Sequence, residues 1–245
     1  MLFRSGIGGS LYVWRQSTGS QLLRPQSDDP LTYGFRADEV DLTNDGSVVV
    51  YTDARAGANP AKDSWIQSTT GGTALKLSPG DGGTYEWPRI SQQGNKVIVY
   101  KRSASQLYSV NPDGSNWSLV SPASGGPASI NSDGTKVYVE RTFRNLWRVD
   151  IDGTNPVFLR YVGDYYVVSA NEQTMVYMDV YDNGRDVWVA NVDGSGTPIK
   201  VLDADIDGFG GYWVSVSCDG EWVGFGSGFG RSEEHTSELQ SLRHL

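Results

Sequence analysis

One short phrase recurs five times along this chain, and it constrains the fold more than any other feature. Thr43-Asn44-Asp45-Gly46-Ser47 precedes Val48-Val49-Val50-Tyr51, and Asn131-Ser132-Asp133-Gly134-Thr135 precedes Lys136-Val137-Tyr138-Val139. Ser91-Gln92-Gln93-Gly94-Asn95 and Ser217-Cys218-Asp219-Gly220-Glu221 repeat it, and Ser169-Ala170-Asn171-Glu172-Gln173 is a degenerate copy with Glu172 at the glycine position. The anchors Gly46, Gly94, Gly134, Glu172 and Gly220 lie 48, 40, 38 and 48 residues apart. A tight turn leading into a β-branched run, at a period near 40, is the signature of stacked or radial strand units.

Each unit carries a second signature. Leu107-Tyr108-Ser109-Val110-Asn111-Pro112-Asp113-Gly114, Leu146-Trp147-Arg148-Val149-Asp150-Ile151-Asp152-Gly153 and Val187-Trp188-Val189-Ala190-Asn191-Val192-Asp193-Gly194 alternate apolar and polar residues and close on Asp-Gly. Such a run reads as a strand entering a hairpin turn, because Gly accepts the positive φ required there. Looser copies are Ser64-Trp65-Ile66 leading to Gly72 and Leu11-Tyr12-Val13 leading to Gly19. A further strand follows, as in Trp117-Ser118-Leu119-Val120, Val157-Phe158-Leu159 and Ile199-Lys200-Val201-Leu202.

Four antiparallel strands per unit, A to D, predict an all-β fold, a β-propeller of four-stranded blades. The sequence predicts four whole blades, strands C and D of a first blade over residues 11–23, and strands A and B of a sixth in Tyr212–Ser217 and Trp222–Gly226. The propeller accordingly spans residues 1–230 and is incomplete. The recurring Tyr12, Trp65, Tyr108, Trp147 and Trp188 fit packing between blades.

Residues 231–245 break the pattern, with no Gly, no aromatic and no strand alternation. Arg231-Ser232-Glu233-Glu234-His235-Thr236-Ser237-Glu238-Leu239-Gln240-Ser241 matches an in-frame translation of a sequencing adapter, so this tail is expected to lie outside the fold. Both histidines, His235 and His244, fall within it. Residues 1–230 therefore offer no histidine for a Ser-His-Asp triad, a general base or a metal ligand.

The 29 acidic and 20 basic residues give a net charge of −9. An acidic chain lacks the clustered cations that phosphate backbones require, which argues against a nucleic-acid partner. No run approaches the roughly 18 apolar residues of a membrane span. Cys218 is the sole cysteine, so no intrachain disulfide forms.

The Ser-x-Asp-Gly turn, the valine-rich strand and the later Leu-Trp-x-Val-Asp-x-Asp-Gly resemble the TolB-type, or WD40-like (PD40), propeller repeat, over nearly all of residues 1–230. The resemblance implies an extracytoplasmic module, periplasmic or secreted, that presents loops to a protein or glycan partner. Its alternative implication is the substrate-gating propeller of a larger enzyme, such as a prolyl-oligopeptidase-like serine peptidase. The Gly-x-Ser-x-Gly elbow of such a catalytic domain is absent here. This chain alone is therefore expected to be non-catalytic.

Sites are expected on the end bearing the B–C and D–A loops, because the A–B and C–D turns are short and stereotyped. Asp203-Ala204-Asp205-Ile206-Asp207-Gly208 has the alternating carboxylates of a calcium loop, making Asp203, Asp205 and Asp207 candidate Ca²⁺ ligands. The set is incomplete, since Val214 stands where a later acid is wanted, and no other cofactor is indicated. Tyr85, Trp87, Tyr165, Tyr166, Phe209 and Tyr212 cluster around D–A connections as a candidate ligand face.

Overall fold

The computed structural model describes residues 2–5, 11–15, 19–24, 40–54, 62–141, 144–163, 165–179, 186–203, 211–227 and 238–241. Those residues form six antiparallel sheets, with one short 3-10 turn at Arg102–Ala104 among them. Four sheets are complete blades. Blade 2 holds β4 (Val40–Leu42), β5 (Val48–Ala54), β6 (Lys62–Ser68) and β7 (Leu75–Lys76). Blade 3 holds β8 (Tyr85–Ile90), β9 (Val97–Lys101), β10 (Gln106–Val110) and β11 (Ser118–Ser121). Blade 4 holds β12 (Ser129–Ile130), β13 (Lys136–Arg141), β14 (Asn145–Asp150) and β15 (Val157–Tyr161). Blade 5 holds β16 (Tyr166–Val168), β17 (Thr174–Asp179), β18 (Asp186–Asn191) and β19 (Ile199–Leu202).

The two outer sheets have three strands each, and both depart from the sequence expectation. Blade 1 gains β1 (Leu2–Ser5) beside β2 (Leu11–Arg15) and β3 (Gly19–Arg24), where only strands C and D were expected. Blade 6 contains β20 (Gly211–Val216) and β21 (Trp222–Ser227) as expected, but β22 (Glu238–Ser241) pairs with β21. Four residues of the tail thus enter the sheet. Strand pairing is a backbone interaction, so the free edge of β21 can recruit an extended segment whose side chains carry no blade pattern.

In blades 3, 4 and 5 both faces of the second strand are apolar, because each of these blades is packed between two others. In β9, Val97 and Val99 meet Val50, Ile66 and Leu77 of blade 2, while Ile98 and Tyr100 meet Val137, Val139 and Val149 of blade 4. In β17, Met175 and Tyr177 face Tyr138 and Leu146, whereas Val176 and Met178 face Val214 and Val223. Each such side chain gains about 1.5–3 kcal/mol on burial, more than the ~1 kcal/mol spread of strand propensity. The seams between blades, rather than the strands themselves, hold the structure.

The degenerate turn keeps the geometry of the regular ones. Gly46, Gly94, Gly134 and Gly220 adopt φ of 65, 72, 72 and 73°, and Glu172 adopts 61° in the same place. A side chain in this region costs roughly 1–2 kcal/mol. The compensation is visible: the Tyr138 hydroxyl donates to Glu172 Oε1 at 2.6 Å, and a hydrogen bond to a charged group contributes about 1.5–3 kcal/mol. Glu172→Ala, which keeps the strain and loses the bond, is therefore expected to destabilise more than Glu172→Gly, by about 1 kcal/mol in urea unfolding. Equal losses in the two variants would show that the strained turn carries no cost.

Candidate interaction face

The two ends of the propeller differ in chemistry. At the A–B and C–D end the turn aspartates are consumed by their own turns. Asp45 Oδ1 accepts from Thr43 Oγ1 at 2.7 Å and from the Ser47 amide at 2.9 Å. Asp113 serves Ser115, Asp133 serves Thr135, and Asp152 serves Thr154 in the same way. These bonds to the charged form hold Asp45 down to about 2 and lower Asp113, Asp133 and Asp152 below the usual carboxylate range.

Neighbouring A–B turns are also stitched together. Asn44 N donates to Gln92 O, Gln93 N to Ser132 O, Ser132 N to Ala170 O, and Asn171 N to Cys218 O, each at 3.1 Å. Asn95 and Asn171 side chains add bonds to Asp133 O and Asp219 O in the next blade. The recurring motif thus builds a hydrogen-bonded seam across five blades. The turn aspartates of this end, Asp45, Asp113, Asp133 and Asp152, are occupied by their own turns.

The opposite end carries charge embedded between blades. Glu86, on β8, is fully buried, with Lys62 Nζ of blade 2 at 3.1 Å and Arg102 Nη1 at 3.4 Å. Nearby, Asp81 accepts from Lys101 Nζ at 2.6 Å, from Tyr85 Oη at 2.9 Å and from the Gly83 amide at 2.9 Å. Those donors hold Asp81 down to about 2 and push the Lys101 ammonium up. Asp63–Lys76 and Asp186–Lys200 are further ion pairs, at 2.9 and 2.7 Å. Sequence reading missed this network, although two of its members sit at the same repeat position, two residues before Trp65 and Trp188.

The expected ligand-face residues divide. Tyr85 is buried, its ring edge against Trp117 and its hydroxyl on Asp81. Trp87 is half-buried at a bulge in β8, with φ of 53°, and stacks on Tyr100 at 5.1 Å. A tryptophan in that backbone region is a genuine outlier. Tyr165 is 42% exposed. Tyr166 is buried, and its hydroxyl accepts from Glu140 N at 2.9 Å while donating toward Pro127 O at 2.9 Å, bolting blade 5 to blade 4. It faces the seam rather than a ligand, because strand alternation turns it inward. Phe209 lies outside the described residues, and Tyr212 lies on β20 with its side chain outside them.

Of the three candidate calcium ligands, Asp203 accepts from Lys200 Nζ at 3.1 Å, an ammonium it shares with Asp186. Asp205 and Asp207 lie outside the described residues. No group of three or more His, Cys, Asp or Glu among the described residues is arranged to hold a metal ion.

A cavity of about 420 Å³ lies elsewhere, lined by Thr174, Val189, Asn191, Ile199, Asp219 and Glu221. Strands β17 to β19 form one wall, but blade 6 supplies only its A–B turn.

No family model and no curated protein matches the chain. Solved structures do. A putative TolB from Agrobacterium tumefaciens superposes with a TM-score of 0.65 at 17% identity, over 99% of this chain and 86% of that one. A nidogen/laminin complex gives 0.63 at 11% identity, over 92% and 84%. Oligogalacturonate lyase from Vibrio parahaemolyticus gives 0.60 at 15% identity, over 94% and 67%. At these identities the likeness is one of fold alone: the chain has the all-β propeller architecture seen in TolB.

Proposed function

We propose that this chain is a non-catalytic binding propeller that presents its loop-bearing end to a protein or glycan partner outside the cytoplasm. The observation that carries this reading is the asymmetry of the two ends. The aspartates of the turn end are engaged by their own turns, whereas the loop end offers exposed Tyr165, the strained Trp87 and the 64% exposed Arg102 side chain. Trp87 is the bulkiest of the six non-glycine residues at positive φ among the described residues, and strain at a bulky residue points to a functional position. One of the similar structures, the nidogen/laminin complex, is itself a protein–protein assembly. The extracytoplasmic placement rests on the TolB resemblance. No helix among the described residues is long and apolar enough to cross a membrane.

The oligogalacturonate lyases show that the same architecture also carries enzymes. The substrate-gating alternative predicts an α/β-hydrolase domain in the full reading frame, which sequencing the locus tests directly.

For the binding reading, a glycan array and a proximity-labelling screen supply ligands, and the best is titrated against two double variants. Trp87→Ala/Tyr165→Ala is expected to weaken binding at least tenfold, and Asp113→Ala/Asp193→Ala to leave it unchanged. The reverse pattern would place the site on the turn end and overturn the assignment.

A further inference from the structure

The four complete blades can be compared position by position: blades 2 and 5 share a lysine–aspartate clamp on the outer strand that blades 3 and 4 lack, and blade 4 alone replaces it with an exposed aromatic. The register sets the strand C aromatic against one residue of the outermost strand: Trp65 against Lys76, Tyr108 against Leu119, Trp147 against Phe158 and Trp188 against Lys200. In blades 2 and 5 that lysine pairs with an aspartate two residues before the aromatic, Asp63 and Asp186. Lys200 also lies over the Trp188 ring at 5.2 Å. A lysine held on an outer strand is a standard guard against pairing with another chain. Blade 4 has Asn145 in place of the aspartate and Phe158 in place of the lysine.

The next position inward changes too. The strand B residues opposite Asp63 and Asp186 are Asp53 and Asp179, and the one opposite Asn145 is Arg141. One row across blade 4 therefore runs Arg141, Asn145, Tyr161, beside a second row of Val139, Trp147, Phe158. The rings form a ladder: Trp147 to Phe158 at 5.6 Å and Phe158 to Tyr161 at 5.4 Å, with the Arg141 guanidinium 5.6 Å over Trp147. Phe158 is 42% and Tyr161 65% exposed. Strand β15 exposes three large apolar residues, Val157, Phe158 and Tyr161, whereas β7, β11 and β19 expose one each, Leu75, Leu119 and Ile199.

Two buried polar atoms of the first row, Arg141 Nε and Asn145 Oδ1, lack a hydrogen bond, and no carboxylate among the described residues forms an ion pair with Arg141. Burial pushes the Arg141 guanidinium down from its ordinary value. A partly buried guanidinium without a carboxylate partner accommodates an anionic complement.

We propose that the outer edge of blade 4 docks an extended acidic peptide segment, which adds to β15 as a fifth strand and places a carboxylate on Arg141. This rests on the binding-module reading but uses a different surface. The free edge of β15 supplies backbone N–H and C=O groups for the added strand, and the Trp147–Phe158–Tyr161 ladder supplies apolar contact for alternate side chains. An arginine–carboxylate pair fixes orientation.

The test uses fluorescence anisotropy with a blocked, labelled ten-residue peptide alternating glutamate with valine, and with its lysine-for-glutamate counterpart. The wild-type chain is expected to bind the glutamate peptide in a salt-sensitive manner and to ignore the lysine peptide. Asn145→Asp/Phe158→Lys rebuilds the clamp that blades 2 and 5 already fold around, and is expected to abolish binding at unchanged Tm. Should that variant misfold, Arg141→Gln serves, with an expected loss of roughly tenfold or more. Hydrogen exchange should slow at Val157–Tyr161 on binding. No binding, equal binding of the lysine peptide, or binding that survives a folded clamp variant would each overturn the proposal. So would an oligouronide bound at this edge without slowed exchange in β15, or a self-dimer that the clamp variant dissolves. Neither variant touches Trp87 or Tyr165, so failure here is distinct from failure of the loop-face assignment.

Discussion

Tyr166→Ala is expected to lower the free energy of unfolding by about 3–5 kcal/mol, the range for removing a large aromatic from a packed core. Its ring lies among Tyr138, Leu146 and Val162 of blade 4 and Met175 of its own blade, so the vacated volume opens at a seam between two rigid sheets. Tyr166→Phe keeps the packing and isolates the hydroxyl. It leaves the Glu140 amide without its 2.9 Å acceptor and Pro127 O without its donor, an expected cost of about 1–3 kcal/mol. Urea unfolding of both variants measures the two components. A Phe variant as stable as wild type would show that the hydroxyl bonds are dispensable. The same pair separates structure from binding: ligand affinity of the folded Tyr166→Phe protein should match wild type.

The second large effect concerns Glu86. Its carboxylate is fully buried, with no hydrogen-bond donor apart from its two ionic neighbours. Lys62→Met removes the nearer cation, and Arg102, at 3.4 Å and 64% exposed, compensates only in part. Breaking a buried pair typically costs 3–5 kcal/mol because the surviving charge is stranded, and the retained arginine places the expectation near the low end, about 3 kcal/mol. The double variant Lys62→Met/Glu86→Gln removes the stranded charge and is expected to recover at least half of that loss. If the double variant is less stable than the single one by the full cost of Glu86→Gln alone, the two residues are not coupled and the ion-pair account is wrong.

The blade pattern was readable because its causes are local. Asp133 bonds the amide and hydroxyl of Thr135 two residues away, and Gly134 supplies the positive φ between them. The unbroken apolar run Val97–Tyr100 records burial on both faces of one strand. Glu172 was recognisable as a turn residue by spacing, yet its reason for being glutamate lies 34 residues upstream in the Tyr138 hydroxyl. The ligand face was legible only as a set of aromatics near D–A connections. Which of them faces inward depends on strand parity, and this turned Tyr166 into a bolt and left Tyr165 exposed. The tail was legible as foreign to the repeat, but the composition of Glu238–Ser241 says nothing of the open edge at β21 that it joins.

Sequence alone determined the all-β class, the four complete blades and the chemistry of the turn end, since each follows from residues within one hairpin of each other. Tertiary structure decided what the blades do to one another. Lys62, Glu86 and Arg102 come from two blades and meet only when those blades pack. Phe158 and Asn145 become an unguarded edge only when their register is compared with that of Lys76–Asp63 and Lys200–Asp186. The physical reason is range. Turn bonds and strand periodicity act over a few residues, whereas buried charge and exposed edges are set by which surfaces water has been excluded from, and only the packed blades define those.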